Sequence, residues 1–443
     1  MAAASPGLTE TAFFARLQSL NIPDKFAVAV SGGRDSMALA RLAAAYAKKT
    51  GATVLALTVD HGLRAEAAEE AAKAKRWCEE AGLAHLTLCW EGDKPSSGVQ
   101  AAARAARYTL LIGAAQSHGC DALLTAHSED DQAETLFMRL ARGAGLKGLA
   151  AMRAESFVAA GPGAPLRLLR PLLSFSRESV TAYLDDIGQD YLDDPSNLDE
   201  RFERVRVRAL LAALAEQELV TAPSLAASAK KLDSAEDAAR AQEEALFDHL
   251  GGCFYGWGGV SLDRWEDAPG AEGLARRLIH AVGGGVYPPA EALETVAQAA
   301  EGAQKATLGG ALMMRWRDRL WFLREPAALT GRAGVEPLAP QSLDRRLLWD
   351  RRFVIAPCHP GSGPADAPQI APQIAPMGGE ARAFLGPREG LFRGPPEALA
   401  ALPGLMQNGV LIGAPALPFM DKGILTCRSL TRERFLGRIV RFS

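Results

Sequence analysis

The first half of the chain alternates apolar strand-like segments with helical segments, and this alternation constrains the fold more than any other feature. Strands are predicted where short apolar runs end abruptly at turn-forming residues, and helices where apolar residues recur at helical spacing. The predicted strands cover residues 26–30, 53–59, 83–90, 122–126 and 166–169. The predicted helices begin at Asp35 and cover 64–81, 99–117 and 177–187. This order predicts an α/β fold with a doubly wound, mostly parallel sheet.

A glycine turn, SGGRDS, joins the first predicted strand to the helix that follows it. Backbone N–H groups at a helix N-terminus bind anions, and Gly32 and Gly33 let the main chain approach a phosphate closely. Ser31 and Ser36 add hydroxyl donors, and Asp35 beside a phosphate indicates an accompanying Mg²⁺. An ordinary tight turn with Ser31 or Asp35 as helix N-cap explains the same residues. The loop alone leaves both interpretations open.

Polar residues concentrate at three predicted strand ends. SGGRDS follows the first strand, DHGLR follows the second, and TAHSEDDQAET follows the strand near residue 124. In doubly wound sheets, ligands bind beyond the carboxyl ends of the strands. We therefore expect the three segments to lie at one edge of the sheet.

The third of these segments places four carboxylates at the start of a helix. Capping explains some of this acidity, because carboxylates stabilise a helix N-terminus. Asp131 and Glu134 are spaced i, i+3, so they share a helix face and can hold an ammonium group. Asp130 points elsewhere and can face a metal or a nucleotide. A solvated acidic turn is the alternative.

Composition excludes several classes of protein. The chain has 443 residues, 48% hydrophobic and 23% charged, which gives room for two to four globular domains. No segment has the length and apolarity of a membrane span, and the first residues lack the features of a secretory signal, so we expect a cytoplasmic protein with no membrane partner. The six cysteines include no CxxC pair, which argues against a zinc ribbon or an iron–sulfur cluster.

Charge is uneven along the chain. The net charge of −3 gives no general support to nucleic-acid binding. Residues 138–177 nevertheless carry seven basic side chains against one acid, and residues 422–443 carry six against one. Two separate basic patches suit an elongated polyanion, and a solvated surface is the alternative for each.

The organisation predicts three domains. An N-terminal α/β domain covers 1–216, a domain of long helices covers 217–328, and a small β-rich domain covers 329–443. GALMMRW and LWFLRE predict a hairpin near the end of the second domain. The repeat APQIAPQIAP, at 367–376, predicts a flexible insertion near 361–380, because Pro-rich repeats cannot build a core.

Several ordered motifs resemble one family of nucleotide-using enzymes. SGGRDS resembles the loop of the PP-loop ATP pyrophosphatases, whose fold is that of the adenine nucleotide alpha hydrolases. Within them, five further blocks resemble tRNA(Ile)-lysidine synthases: VDHGLR, QAAARAARY, LLTAHSEDDQAETLFMRLARGAGLKGLAAM, RPLL, and DDPSN followed by RFERVRVRALL. Two residues depart from the family pattern: Ser128 stands where a second His is usual, and Val205 where an Asn is usual.

The resemblance implies a reaction. Free L-lysine is joined to the 2-position of the wobble cytidine of an isoleucine tRNA with a CAU anticodon. The reaction uses ATP and Mg²⁺, passes through an adenylated cytidine, and releases AMP and pyrophosphate. It also implies that the domain over 217–328 binds tRNA.

The resemblance also implies roles for individual residues. ATP is bound by Ser31, Gly32, Gly33, Asp35, Ser36, His61 and Arg107. Asp35 helps to hold Mg²⁺, and Asp131 and Glu134 hold the ammonium group of lysine. The catalytic residues are Asp35, Arg107, His127 and Asp130, with His127 as the candidate base. Contacts to tRNA or phosphate come from Arg139, Arg142, Arg170, Arg204, Arg206 and Arg208.

Two other functions stay open. A PP-loop tRNA thiolase shares the nucleotide chemistry but requires reactive cysteines. A nucleotide-binding or tRNA-binding protein without catalysis would keep the fold alone. The oligomeric state is also open, with a homodimer among the candidates.

Overall fold

The computed structural model of the chain describes residues 7–62, 66–91, 98–159, 165–193, 201–284, 288, 292–302, 305–331, 337–343, 347–357, 373–417, 419, 425–436 and 439–441. These residues form two compact units, the first ending at Ala238 and the second running from Ala239 to Arg441. The boundary between them falls inside a long helix, Ala222–His249. The division into three domains stays a prediction.

Six strands of the first unit lie side by side. They are β1 (Lys25–Ala29), β2 (Thr53–Asp60), β3 (Ala84–Cys89), β4 (Ala122–Leu124), β5 (Glu155–Ala159) and β6 (Leu166–Leu169). Their order is β5-β6-β4-β1-β2-β3, and all neighbours are parallel except β5 and β6. The predicted α/β fold with a mostly parallel sheet is confirmed.

The central strand β1 shows why this sheet forms. Phe26 and Val28 pack into one hydrophobic core, and Ala27 and Ala29 pack into another on the opposite face. A parallel sheet covered on both faces needs apolar residues at every position, which a continuous apolar run supplies.

Within the part of the first unit that the structure describes, eight α-helices lie wholly in that unit. They are α1 (Glu10–Ser19), α2 (Arg34–Thr50), α3 (Ala67–Glu80), α4 (Val99–Ser117), α5 (Glu129–Ala141), α6 (Leu146–Leu149), α7 (Arg177–Asp186) and α8 (Glu203–Glu216). The helix predicted after SGGRDS is α2, which begins at the residue after Gly33 and ends before Gly51 in the left-handed conformation. A glycine there tolerates the positive φ that ends many helices.

The second unit contains a five-stranded sheet where helices and one hairpin were expected. The long helix at the unit boundary is α9 (Ala222–His249). It is followed by β7 (Cys253–Phe254), β8 (Val260–Leu262), α10 (Ala271–Val282), α11 (Ala292–Ala300), β9 (Ala306–Leu308), β10 (Ala311–Trp316), β11 (Arg319–Arg324) and α12 (Ala327–Thr330). The strands form an antiparallel sheet in the order β7-β8-β11-β10-β9. The predicted hairpin is β10–β11.

Among the described residues, no helix has the length and apolarity that a membrane span requires.

The remaining elements confirm a β-rich C-terminal segment. They are β12 (Gln341–Ser342), β13 (Leu347–Trp349), β14 (Phe353–Pro357), β15 (Gln373–Pro376), α13 (Ala381–Leu385), β16 (Pro403–Gln407), β17 (Val410–Gly413), β18 (Leu425–Ser429), α14 (Thr431–Phe435) and β19 (Ile439–Arg441). Two sheets have the orders β12-β15-β16-β17 and β13-β14-β18.

The predicted flexible insertion is partly wrong. Residues 358–372 lie outside the described residues, but the second half of the repeat is the strand β15, paired with β12 and β16. Ile374 is fully buried. Pro376 lies at the end of the strand, where a missing N–H does least harm to the ladder. Long-range pairing thus makes a strand from a Pro-rich sequence.

Candidate active site

The loop between β1 and α2 is held by its own serines. The backbone N–H of Ser31 donates to Ser36 Oγ at 3.1 Å, and the Ser36 hydroxyl donates to the carbonyl of Gly33 at 2.8 Å. Ser36 is buried. Gly33 is the N-cap of α2 and has no side-chain capping bond, so the N–H groups of the first helical turn face the loop without an internal cap.

The two glycines of the loop have different surroundings. Gly32 has a φ of +82°, and a Cβ there would lie 2.5 Å from Leu192 Cδ1. The carbonyl of Gly32 also accepts from the N–H of Leu192 at 2.9 Å. A Cβ on Gly33 would meet nothing nearer than Ser31 Oγ at 3.6 Å. Protein packing therefore requires glycine at 32, and the space beside 33 is free for a ligand.

Asp35 lies in the first turn of α2 and pairs with Arg34 at 3.2 Å. Burial raises the pKa of Asp35; Arg34 opposes the rise, and the neighbouring Asp131 adds to it. A buried carboxylate beside a second carboxylate is stabilised by a nearby cation. Among the described residues, no group of three or more His, Cys, Asp or Glu side chains could hold a metal ion. Asp35 therefore fits a Mg²⁺ that arrives with phosphate, which needs only one or two protein carboxylates.

The acidic segment begins α5, and two of its carboxylates have structural partners. Ser128 is the N-cap and is fully buried, and its backbone N–H donates to Asp131 Oδ2 at 2.9 Å, which forms a capping box. Asp130 Oδ2 accepts from the backbone N–H of Arg177 at 2.6 Å, so it caps the start of α7. The departure from the family pattern at Ser128 thus supplies a helix cap.

Asp131 and Glu134 share a face of α5, as predicted, and three guanidinium groups contact them. Arg204 donates to Glu134 Oε2 at 2.6 Å and to Asp131 Oδ1 at 2.9 Å. Arg208 donates to Glu134 Oε1 at 2.9 Å. Arg177 lies 3.2 Å from the same oxygen and 3.5 Å from Asp131 Oδ1. Asp131 and Glu134 are called the acidic pair below.

Arg177 joins the acidic pair to the phosphate loop. Burial lowers the pKa of Arg177, but the carboxylates of Glu134, Asp131, Asp130 and Asp35 outweigh it and raise the pKa overall. Four predicted site carboxylates therefore surround one guanidinium. Sequence reasoning missed this residue, because it starts a helix that is distant in sequence from the other site residues.

His127 lies in basic surroundings. Its Nδ1 is 3.0 Å from the hydroxyl of Thr125. Burial lowers the pKa of His127 well below its usual value, and positive charges lower it further. Those charges belong to Arg170, Arg204, Arg104 and Arg107. The imidazole is therefore neutral at pH 7 and able to accept a proton.

The structure places the other predicted nucleotide contacts near the same strand ends. His61 follows β2 and meets the ring of Trp90 edge to face, with centroids 6.3 Å apart. Arg107 lies on α4 one turn after Arg104, and burial lowers its pKa. Arg107 is one of the charges that lower the pKa of His127, so this part of α4 lies near the end of β4.

The arginines predicted to contact tRNA have varied partners. Arg139 donates to the carbonyls of Gly148 and Ala151, and Arg170 is buried and donates to the carbonyl of Arg153. Arg206 donates to the carbonyl of Arg201. Arg142 is paired with Glu203. Arg139 and Arg170 thus support backbone structure as well as carrying charge, and their predicted contacts to tRNA stay predictions.

Comparison with known proteins identifies relatives of this chain. Residues 10–214 match the family model described as a PP-loop domain. A tRNA(Ile)-lysidine synthase from Rhodopseudomonas palustris is 40% identical over 326 residues, an alignment that covers 68% of this chain and 90% of the relative. The chain belongs to the tRNA(Ile)-lysidine synthase family.

Two further members of the tRNA(Ile)-lysidine synthase family align over similar lengths. The protein from Novosphingobium aromaticivorans is 43% identical over 271 residues, covering 61% of this chain and 78% of the relative. The protein from Methylobacterium nodulans is 40% identical over 317 residues, covering 69% and 91%. The family resemblance predicted from the motifs is confirmed, and the PP-loop match contains every residue of the site described above.

Proposed function

We propose that this chain joins free L-lysine to the 2-position of the wobble cytidine of isoleucine tRNA with a CAU anticodon, using ATP and releasing AMP and pyrophosphate. The observation that supports it best is one contiguous site in which a phosphate loop, a buried acidic pair and a neutral histidine meet. Family membership supports the choice of tRNA and lysine.

The first half of the proposed reaction uses the loop and Asp35. Ser31, Gly33 and Ser36 hold the phosphates of ATP through hydroxyls and the N–H groups at the start of α2. Asp35 would help to hold Mg²⁺, and the ion would supply positive charge to balance the departing pyrophosphate. The 2-carbonyl oxygen of the cytidine bonds to the α-phosphorus, and the bond from that phosphorus to the bridging oxygen breaks.

The second half uses the acidic pair and His127. Asp131 and Glu134 hold the ammonium group of lysine. The ε-nitrogen must lose a proton before it attacks C2 of the adenylated cytidine. His127 is the proposed acceptor, because the negative phosphate of the adenylate would offset the arginine charges that lower the pKa of this imidazole. The new C2–N bond forms as the C2–O bond breaks, so AMP leaves with the original oxygen. Arg107 and Arg204 lie near His127 and can stabilise the phosphate of the leaving AMP.

The decisive experiment is incorporation of labelled lysine into bulk bacterial tRNA by the purified protein, with and without ATP and Mg²⁺. We expect incorporation that requires every component and is lost in Asp35→Ala. ATP binding without incorporation would favour a binding protein without catalysis.

The thiolase alternative has less support. A thiolase needs accessible, reactive thiols, usually in a CxxC pair, which this sequence lacks. Burial raises the pKa of Cys78 to about 12 and also raises that of Cys120, whereas Cys89 is exposed. Sulfur in the tRNA product, detected by mass spectrometry, would restore this alternative. A cytoplasmic location and the oligomeric state, including a homodimer, stay predictions.

A further inference from the structure

The acidic pair that is proposed to receive an ammonium group already carries an excess of positive charge. Three guanidinium groups, from Arg177, Arg204 and Arg208, contact its two carboxylates. The side chain of Glu134 is only 2% exposed, so these groups and the surrounding protein leave it almost no free surface. A further cation would meet like charge, so lysine binding requires that a guanidinium leaves.

Arg177 is the guanidinium that stays. Its backbone N–H is held by Asp130, and it begins α7. Val180 and Leu184 of that helix are fully buried in the core of the first unit. Moving Arg177 away would require breaking these contacts or extending a side chain that four carboxylates attract.

The helix α8 is held in a different way. All 14 of its residues are described, and none is buried. Its ion pairs join it to α5. Glu203 pairs with Arg142, the residue directly after α5, and Arg204 and Arg208 pair with the acidic pair. The side chains of Arg204 and Arg208 are 39% and 37% exposed, so solvent and ligands can reach them. Ion pairs therefore contribute to holding α8 on α5, and apolar residues of α8 such as Val205 and Leu211 are half-buried rather than fully buried.

We propose that Arg204 and Arg208 close the acidic pair, and that a phosphate-bearing substrate opens it by drawing these two guanidinium groups away. Phosphate competes well with carboxylate for arginine, because both form charge-assisted hydrogen bonds with the planar guanidinium. Once the two arginines leave, the acidic pair keeps only one of its three guanidinium contacts, and its carboxylates can take an ammonium group. Phosphate and lysine then bind with positive coupling. The inference rests on the proposed function for the identity of the cation.

Thermodynamic linkage makes the coupling measurable without any variant. Each ligand must raise the affinity of the other by the same factor. Lysine affinity is measured by calorimetry for the free protein, with a non-hydrolysable ATP analogue and Mg²⁺, and with isoleucine tRNA. We expect lysine to bind at least about fivefold more tightly in one of these two arms. The arm that shows it identifies the source of the phosphate, and equal affinity in all three measurements overturns the proposal.

A double variant tests the two arginines directly. In Arg204→Ala/Arg208→Ala the acidic pair is open from the start, so we expect the free protein to bind lysine at least about fivefold more tightly than wild type, with little further gain from phosphate ligands. Arg206→Ala removes the same charge from the same helix, but Arg206 donates to the carbonyl of Arg201. Its affinity for lysine in the free protein should match wild type.

The outcomes separate two failures. If the double variant binds lysine as wild type does and keeps the coupling, α8 does not close the site. If the double variant is unfolded by circular dichroism, the wild-type measurement decides alone. If wild type neither binds lysine in any arm nor incorporates it into tRNA, the proposed function fails. Incorporation without coupling overturns the closure by α8 only.

Discussion

Gly32 and Gly33 are adjacent, but they lack side chains for different reasons. Gly32→Ala combines a positive φ with a Cβ 2.5 Å from Leu192, so we expect a loss of about 1–3 kcal/mol in the free energy of unfolding. Gly33→Ala has neither problem, but alanine is a poorer N-cap than glycine, so we expect a smaller loss of up to about 1 kcal/mol. Its Cβ should instead hinder a phosphate and weaken ATP binding about tenfold, the equivalent of roughly 1.4 kcal/mol.

Urea unfolding and ATP titration of the two glycine variants check this expectation. The prediction fails if both variants lose stability equally, since the space beside Gly33 would then serve the fold. It fails also if Gly33→Ala binds ATP as wild type does.

The neutral state of His127 has a consequence for stability. Its pKa in the folded protein lies well below the usual 6.5, because of burial and the arginines around it. Below pH 6.5 the unfolded chain therefore binds one proton that the folded protein refuses, so stability is full above this pH and falls as the pH drops. The slope approaches about 1.4 kcal/mol per pH unit for one proton. In His127→Gln, the free energy of unfolding should lack this contribution to its dependence on pH.

The check is urea unfolding of wild type and His127→Gln between pH 7.5 and pH 5.5, the range spanned by about one unit on either side of the usual histidine pKa. His85, whose pKa burial also lowers, is present in both proteins and cancels in the comparison. Parallel curves would show that His127 titrates normally in the folded protein, which would contradict the effect of burial and of the surrounding arginines on its pKa.

Between elements, Asp130 links α5 to α7. Asp130→Ala removes the acceptor for the N–H of Arg177, and we expect a cost of about 1–2 kcal/mol in stability, typical for a lost helix cap. Asp130→Asn keeps an acceptor oxygen and should cost less than half as much. Unfolding of both variants measures the cap, and lysine incorporation by Asp130→Asn tests the predicted catalytic role separately. A stable but inactive Asn variant supports catalysis, whereas an Ala variant as stable as wild type contradicts the cap.

Local sequence predicted some elements well and others poorly, for physical reasons. The strands β1, β2, β4 and β6 were predicted because a buried parallel strand needs a continuous apolar run bounded by turns. The strand β15 was not, because its partner β16 lies far along the chain and the pairing decides its state. The strands β5, β7 and β8 were also missed, although β5 pairs with the nearby β6 and β7 pairs with the nearby β8. The strands β7 and β8 have only two and three residues, which are too few to show a pattern.

The candidate site shows the same limit. The order of strands and helices in the sequence was enough to predict that the phosphate loop and the acidic pair lie at one sheet edge, because the carboxyl ends of parallel strands share an edge. The closure of the acidic pair was not predictable, because its three guanidinium groups come from α7 and α8, more than 40 positions along the chain. The closeness of Asp35 to Asp131 also depends on tertiary packing.

At the scale of the whole molecule, each unit has hydrophobic cores of its own, and ligands should act on one unit. The loop and the acidic pair lie in the first unit, while five of the seven tryptophans lie in the second: Trp257, Trp265, Trp316, Trp321 and Trp349. An ATP analogue with Mg²⁺ at about 100 times its dissociation constant should stabilise the first unit by roughly 2.7 kcal/mol. The midpoint temperature of thermal unfolding of the first unit should rise by about 5–10 °C.

Scanning calorimetry with and without the analogue, beside tryptophan fluorescence, checks this expectation. We expect one calorimetric transition to move while the larger part of the tryptophan signal, from the five residues of the second unit, stays in place, because a ligand stabilises only the cooperative block that binds it. The same titration with Gly33→Ala is the control, since weaker ATP binding should reduce the shift at equal ligand concentration. If both transitions move together by the same amount, the two units unfold as one block, and lysine or ATP binding to the first unit would also stabilise the second.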